Sequence, residues 1–177
     1  MAKVCTVCGK RAYSDYCVQH KPRKPIAHTT IKPKVAKKKP KAKTRSYYVK
    51  QLDSVFSKYI RYSAVESDGL VWCVTCQNKL GPKAIQNGHY YSRGHYGTRW
   101  DEMNCHPQCV GCNVFKKGNY TEYAIYMVDR YGIEEVKALK VKADTIYKIS
   151  TPVLREMIEE YKAKLLTYYH KRDSIDT

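Results

Sequence analysis

The sequence predicts an α+β chain, mainly helical, with an irregular cysteine-rich centre, flanking helices and a small N-terminal knuckle. Three observations carry this. Apolar residues recur at helical spacing at both ends of the main body. The segment between them is rich in Gly, Asn, Cys and His and holds only short strand-like pieces. Eight cysteines fall in two groups, each opening on Cys-x-x-Cys.

Val49, Leu52, Phe56, Tyr59 and Ile60 follow the three-and-four spacing of a helix over about 46–65, which Asp68-Gly69 ends with a turn. Asn119 with Glu122 resembles a capping box opening a helix that Gly132 stops, and Ile133 to about Val141 reads as another. Thr151 followed by Pro152 places an N-cap before the first helical position. Val153, Met157, Ile158, Tyr161, Leu165 and Tyr168 continue that last helix.

The chain of 177 residues has a formal charge of +17, which argues for a polyanionic partner. Residues 18–52 hold twelve Lys or Arg and no acid, together with Pro22, Pro25, Pro33 and Pro40. This run has no apolar period, so 21–45 reads as an extended, disordered linker between a knuckle at 1–20 and a body at 46–177. Lys37, Lys38, Lys39, Lys41, Lys43 and Arg45 would bind DNA phosphates by counterion release, adding affinity without base specificity. The longest apolar run, Tyr123 to Val128, is six residues, and no stretch of signal-peptide length opens the chain. A membrane or secreted protein is thereby disfavoured and a cytoplasmic one expected, where cysteines serve metals more often than disulfides.

Cys5-x2-Cys8-x8-Cys17-x2-His20 and Cys73-x2-Cys76-x32-Cys109-x2-Cys112 each supply four soft ligands on two knuckles, the pattern of structural zinc. Four thiolates leave no open coordination position, so the second zinc would be structural. Twenty residues with so little apolar content need such a staple to fold. Cys105 is left over and reads as a packed free thiol.

The long interval of the second pattern holds His89, His95, His106 and Asn104, and Asn113 directly follows its last cysteine. This order resembles the His-Asn-His/Asn (HNH) nuclease motif, a zinc-braced ββα-metal unit. The resemblance extends to the NinG (Rap) family of lambdoid-phage recombination proteins. It is carried by Leu52-Asp53, Val55-Phe56-Ser57, Tyr59-Ile60-Arg61, Cys73-Val74-Thr75-Cys76, Gly88-His89-Tyr90 and Ser92-Arg93-Gly94-His95. Thr98-Arg99-Trp100-Asp101-Glu102, Asn104, Gln108-Cys109, Cys112-Asn113 and Gly118-Asn119 continue it, spanning about 52–119.

The resemblance implies a metal-dependent endonuclease that hydrolyses phosphodiester bonds in branched recombination intermediates, such as Holliday junctions and D-loops, inside the bacterial host. His89 would be the general base, Asn104 would orient its ring, and Asn113 would ligate catalytic Mg²⁺ or Mn²⁺. Many HNH members carry Asp before the catalytic His, and here that residue is Gly88. His95 and Asp101 are then candidates to complete the metal shell. Arg93 and Arg99 are candidates to clamp the phosphate, and Tyr90, Tyr91 and Tyr96 to stack on unpaired bases. A homodimer and other phage recombination proteins are the expected partners. The alternatives are a non-catalytic zinc-containing DNA-binding adaptor and a less selective HNH nicking enzyme.

Overall fold

A computed structural model describes residues 2–23 and 42–173, and the chain divides into two units, Met1–Pro40 and Lys41–Thr177. The arm residues Lys37, Lys38, Lys39 and Lys41 lie outside the described residues. No described helix is long and apolar enough to cross a membrane.

In the first unit two backbone turns, Gly9 N–H to Cys5 C=O and His20 N–H to Cys17 C=O, present the metal-binding side chains. Gly9 sits at φ +66°, the left-handed conformation a tight knuckle requires. A single antiparallel bridge, Val4 to Arg11, is the only strand pairing among the described residues of this unit.

The second unit opens with α1 (Arg45–Ser63), capped by the Thr44 hydroxyl accepting from Tyr47 N–H. The helix therefore starts at the last residue of the expected linker. Its apolar stripe, Val49, Leu52, Phe56, Tyr59 and Ile60, packs on Leu154, Ile158 and Tyr161 of α4 (Thr151–Asp173) with Trp100 and Cys105. Lys43 donates to the Tyr47 hydroxyl, and Arg45 donates to the Ile149 carbonyl at 3.2 Å, binding the start of α1 to the segment before α4.

Two antiparallel pairs lie between these helices. Strands β1 (Val71–Trp72) and β2 (Lys79–Leu80) form a hairpin around the first Cys-x-x-Cys. Strands β3 (Gln86–His89) and β4 (Cys105–Gln108) pair with His89 opposite Cys105 and Gly88 opposite His106. After β4 comes a π-helical turn, Gly111–Phe115, followed by α2 (Tyr120–Tyr131) and α3 (Ile133–Asp144). Tyr123 and Met127 of α2 pack with Val136 and Leu139 of α3 in a core of their own.

The capping box expected at Asn119 does not form. Asn119 has φ +47° with no side-chain cap, and its amide donates to Cys112 Sγ instead. Gly132 ends α2 as expected, at φ +83°. The α4 start shifts by one residue, with Leu154 N–H bonding Ser150 C=O.

Candidate active site

Both predicted metal clusters assemble. The ligand atoms of Cys5, Cys8, Cys17 and His20, and of Cys73, Cys76, Cys109 and Cys112, lie within 4.8 Å of one another in each set. Sulfurs about 2.3 Å from a tetrahedral zinc stand about 3.8 Å apart. Cys76 and Cys109 are 3.7 Å apart, as are Cys8 and Cys17. His20 faces its cluster through Nδ1, 3.4 Å from Cys17 Sγ, so both clusters could hold a metal and their geometry fits zinc. The second cluster's electrostatics agree. Burial opposes ionising Cys73, but the Thr75 hydroxyl and nearby N–H groups outweigh it and lower its pKa, whereas burial raises those of Cys76 and Cys109. This arrangement favours the thiolate at Cys73 and needs a cation to ionise Cys76 and Cys109.

The second cluster lies beside a cleft of about 700 Å³ whose lining includes His89, Asn113, Arg93, Gln86, Asn87 and Asp53. Strand β3 carries His89 and the π-helical turn carries Asn113, so two residues 24 positions apart share one cavity. His89 Nε2 lies 3.1 Å from the Arg99 carbonyl, which can only accept, so Nε2 bears the proton and Nδ1 the free lone pair. Burial lowers the His89 pKa, partly opposed by that carbonyl, and keeps the ring neutral at pH 7. Asn113 donates from Nδ2 to Gln86 Oε1 at 2.7 Å, which fixes the amide and leaves Asn113 Oδ1 without a hydrogen-bond partner among the described residues.

Asn104 does something other than expected. Its amide makes no hydrogen bond to the His89 ring. It accepts from Tyr91 N–H at 2.7 Å and donates to the Tyr91 and Thr98 carbonyls, pinning the 91–98 loop across its neck. The Arg99 carbonyl takes over the ring-orienting task. Arg99 itself forks onto Asp53 of α1 at 2.9 and 2.7 Å, and Trp100 Nε1 donates to the same carboxylate. Its guanidinium is therefore engaged internally, while Arg93 is exposed at the cleft with no side-chain hydrogen-bond partner among the described residues.

His95 and Asp101 do not line this cleft. His95 Nδ1 bonds the Ala143 carbonyl at the end of α3, and Asp101 caps the short 3-10 turn Glu102–Asn104 while pairing with Lys142. His106 lies among three tyrosines, with Tyr123 and Tyr131 hydroxyls 2.9 and 2.7 Å from its two nitrogens. Burial, aided by Arg130, pushes its pKa down to about 4. Tyr90 packs on Tyr91 and Tyr123, and Tyr96 on Trp100, so these rings serve the core more than an open surface. Cys105 is a buried thiol, as expected, and burial raises its pKa well above the ordinary value.

Gly88 has a steric cause. A Cβ there would lie 2.1 Å from Gln108 Oε1 and within 2.8 Å of two further Gln108 atoms. Gln108 is fully buried and held by Nε2 bonds to Thr75 Oγ1 and the Gly118 carbonyl. The space a side chain at position 88 would need is thus filled from the neighbouring strand. Asp53, Gln86 and Gln108 were not singled out by the sequence reading. For Asp53 a signal existed, since it is the first acid after the basic run and sits between the core residues Leu52 and Phe56.

A family model described as "Bacteriophage Lambda NinG protein" matches residues 2–170. Protein ninG of Salmonella phage P22 is 30% identical over 130 residues, covering 70% of this chain and 58% of that protein. Protein ninG of Escherichia phage 933W is 32% identical over 105 residues, covering 55% of this chain and 47% of that protein. The counterpart in Escherichia phage lambda is 31% identical over 105 residues, 55% of this chain and 46% of its own. The chain thus spans about half the length of the curated relatives it matches. No solved structure matches it. The chain belongs to the NinG family of bacteriophage proteins.

Proposed function

We propose that this chain is a metal-dependent endonuclease that hydrolyses phosphodiester bonds in branched DNA recombination intermediates. The observation that carries the reading is the His89 arrangement: a half-buried, neutral imidazole, its Nε2–H held by the Arg99 carbonyl, in the same cleft as Asn113 and Arg93. Nδ1 of His89 accepts a proton from a water molecule, whose oxygen attacks phosphorus as the bond to the 3′ oxygen breaks. Arg93 binds a phosphate oxygen. Asn113 Oδ1, steadied by Gln86, would hold Mg²⁺ or Mn²⁺, which supplies charge neutralisation at the phosphoryl group and the leaving oxygen. Asp53 is the only carboxylate among the described residues lining the cleft, and Arg99 and Trp100 already occupy it. A cation here would lean on water and substrate phosphates, as Mg²⁺ commonly does.

The test incubates the zinc-loaded protein and Mg²⁺ with a labelled four-way junction beside a duplex of the same sequence. Preferential cutting of the junction is expected. Equal cutting of both would make it a less selective nicking enzyme. Binding without cutting would replace the enzyme with a DNA-binding adaptor, a reading that draws on Gly88 and the missing carboxylate.

A further inference from the structure

Resting on that DNA-cleaving reading, we propose that Phe115 is a wedge that inserts between base pairs at the branch point and selects branched over continuous duplex DNA. The chain has seventeen tyrosines and two phenylalanines. Phe56 is 1% exposed in the α1–α4 core, whereas Phe115 is 79% exposed. It is two residues from Asn113 on the same π-helical turn, and Val110 and Val114 beside it are also exposed and line the cleft. Phe115 itself is not among the lining residues; it follows the lining Val114 directly and so extends this apolar edge beyond the cleft.

The tip is held firmly. Lys116 N–H bonds the Gly111 carbonyl and Gly118 N–H bonds the Cys112 carbonyl, both at 2.9 Å, and Cys112 belongs to the second metal cluster. Lys117, Gly118 and Asn119 follow with φ of +50°, +97° and +47°, turning the chain sharply behind Phe115. A ring with two torsions on a fixed turn loses little freedom when it is buried in a base stack.

Charge decides the occupant. Lys116 and Lys117 are exposed directly after Phe115, and no carboxylate occurs between Glu102 and Glu122. The adjoining cleft adds Lys83 and Arg93. An apolar wedge in a cationic rim matches unstacked bases between phosphates, where proteins insert Phe, Leu or Ile at kinked steps. Continuous duplex must first pay for unstacking, and a branch point has already lost that stacking, which gives the selectivity.

The test uses the full zinc-loaded chain with Ca²⁺ in place of Mg²⁺, a four-way junction carrying 2-aminopurine at the branch, and a matched duplex. Wild type should raise the 2-aminopurine fluorescence on binding. Phe115→Ala should keep zinc content and duplex affinity, lose that rise, and reduce the junction-to-duplex affinity ratio about tenfold. Phe115→Trp should retain both signals. An unchanged ratio and fluorescence in Phe115→Ala would overturn the wedge. So would a wild-type dimer that Phe115→Ala converts to monomer with the fluorescence rise intact, since a second copy would then cover the tip. Failure of the nuclease reading looks different: with Mg²⁺ the wild type would leave the junction uncut while the fluorescence rise persisted, and the wedge would stand.

Discussion

Gly88 offers a quantitative test of how the strand beside His89 is built. Its φ is not in the left-handed region, so the glycine is there for space, not for backbone freedom. In Gly88→Ala the new methyl would meet three Gln108 atoms at 2.1, 2.7 and 2.8 Å. The Gln108 side chain cannot easily yield, because Thr75 Oγ1 and the Gly118 carbonyl hold it at 3.2 and 2.8 Å. Overpacking of this kind costs about 2–3 kcal/mol. Gln108→Ala removes the two bonds and leaves the buried Gly118 carbonyl without that donor, at about 2–4 kcal/mol. In the double variant the methyl enters the space the glutamine vacated, so its cost should fall short of the sum by about 1–2 kcal/mol. Urea unfolding at fixed free zinc, followed by circular dichroism, measures all four corners of this cycle. Additive effects, or a Gly88→Ala cost below about 0.5 kcal/mol, would show that Gln108 is not what excludes a side chain at 88. The same cycle bears on the missing aspartate: Gly88→Asp alone should unfold the strand pair, and Gly88→Asp with Gln108→Ala should recover part of the loss.

His89→Ala should leave zinc content and junction binding intact while cleavage falls by roughly 10²–10⁴, measured as single-turnover rates. Near wild-type cleavage would remove His89 as base. Asn113→Ala should instead raise the Mg²⁺ concentration needed for half-maximal rate, read from a metal titration of the same substrate. Cys109→Ser, or chelation of the wild type, should release zinc and unfold the segments around the second cluster; a zinc-free product with those segments still ordered would contradict the brace. His106 makes stability pH-dependent: its folded pKa of about 4 lies below the unfolded value of about 6.5, so its contribution is present at pH 7 and is lost as pH falls. Between pH 7 and 5.5 it should cost about 1.2 kcal/mol, and His106→Gln should flatten that part of the unfolding profile by the same amount.

Much of the framework was legible because it is written locally. The α1 stripe and the α4 start follow from spacing and from Thr151-Pro152, and the metal clusters follow from the spacing of Cys-x-x-Cys and Cys-x-x-His pairs alone. The errors arose where tertiary packing, not a local pattern, chooses a side chain's partner. Asn104 binds Tyr91 and Thr98, not His89, because the loop it closes needs a donor and an acceptor on its neck. Arg99 faces Asp53, 46 residues earlier, and His95 reaches Ala143, 48 residues later. No local pattern marks those pairings. Asn119 looked like a cap by composition, yet its left-handed backbone and its bond to Cys112 Sγ belong to the metal knuckle.

These placements together explain why zinc should govern the candidate site more than the whole fold. Strands β3 and β4 have four residues each, and two short strands are marginal by themselves. Ile85, directly before β3, packs with Val71, Cys73 and Cys112 in a core of few apolar residues that the metal would close. Asn113 follows Cys112 immediately, and His89 sits on the strand paired to the one ending just before Cys109. By contrast, α1 and α4 bury Leu52, Phe56, Leu154 and Ile158 against each other without any metal ligand. Mild chelation should therefore loosen the cleft before it melts the α1–α4 pair. Hydrogen exchange would report this order, with amides of 86–89 and 105–118 losing protection at lower chelator concentration than those of 49–60. Simultaneous loss in both regions would mean that the helical pair has no stability of its own and that the zinc knuckle nucleates the entire body.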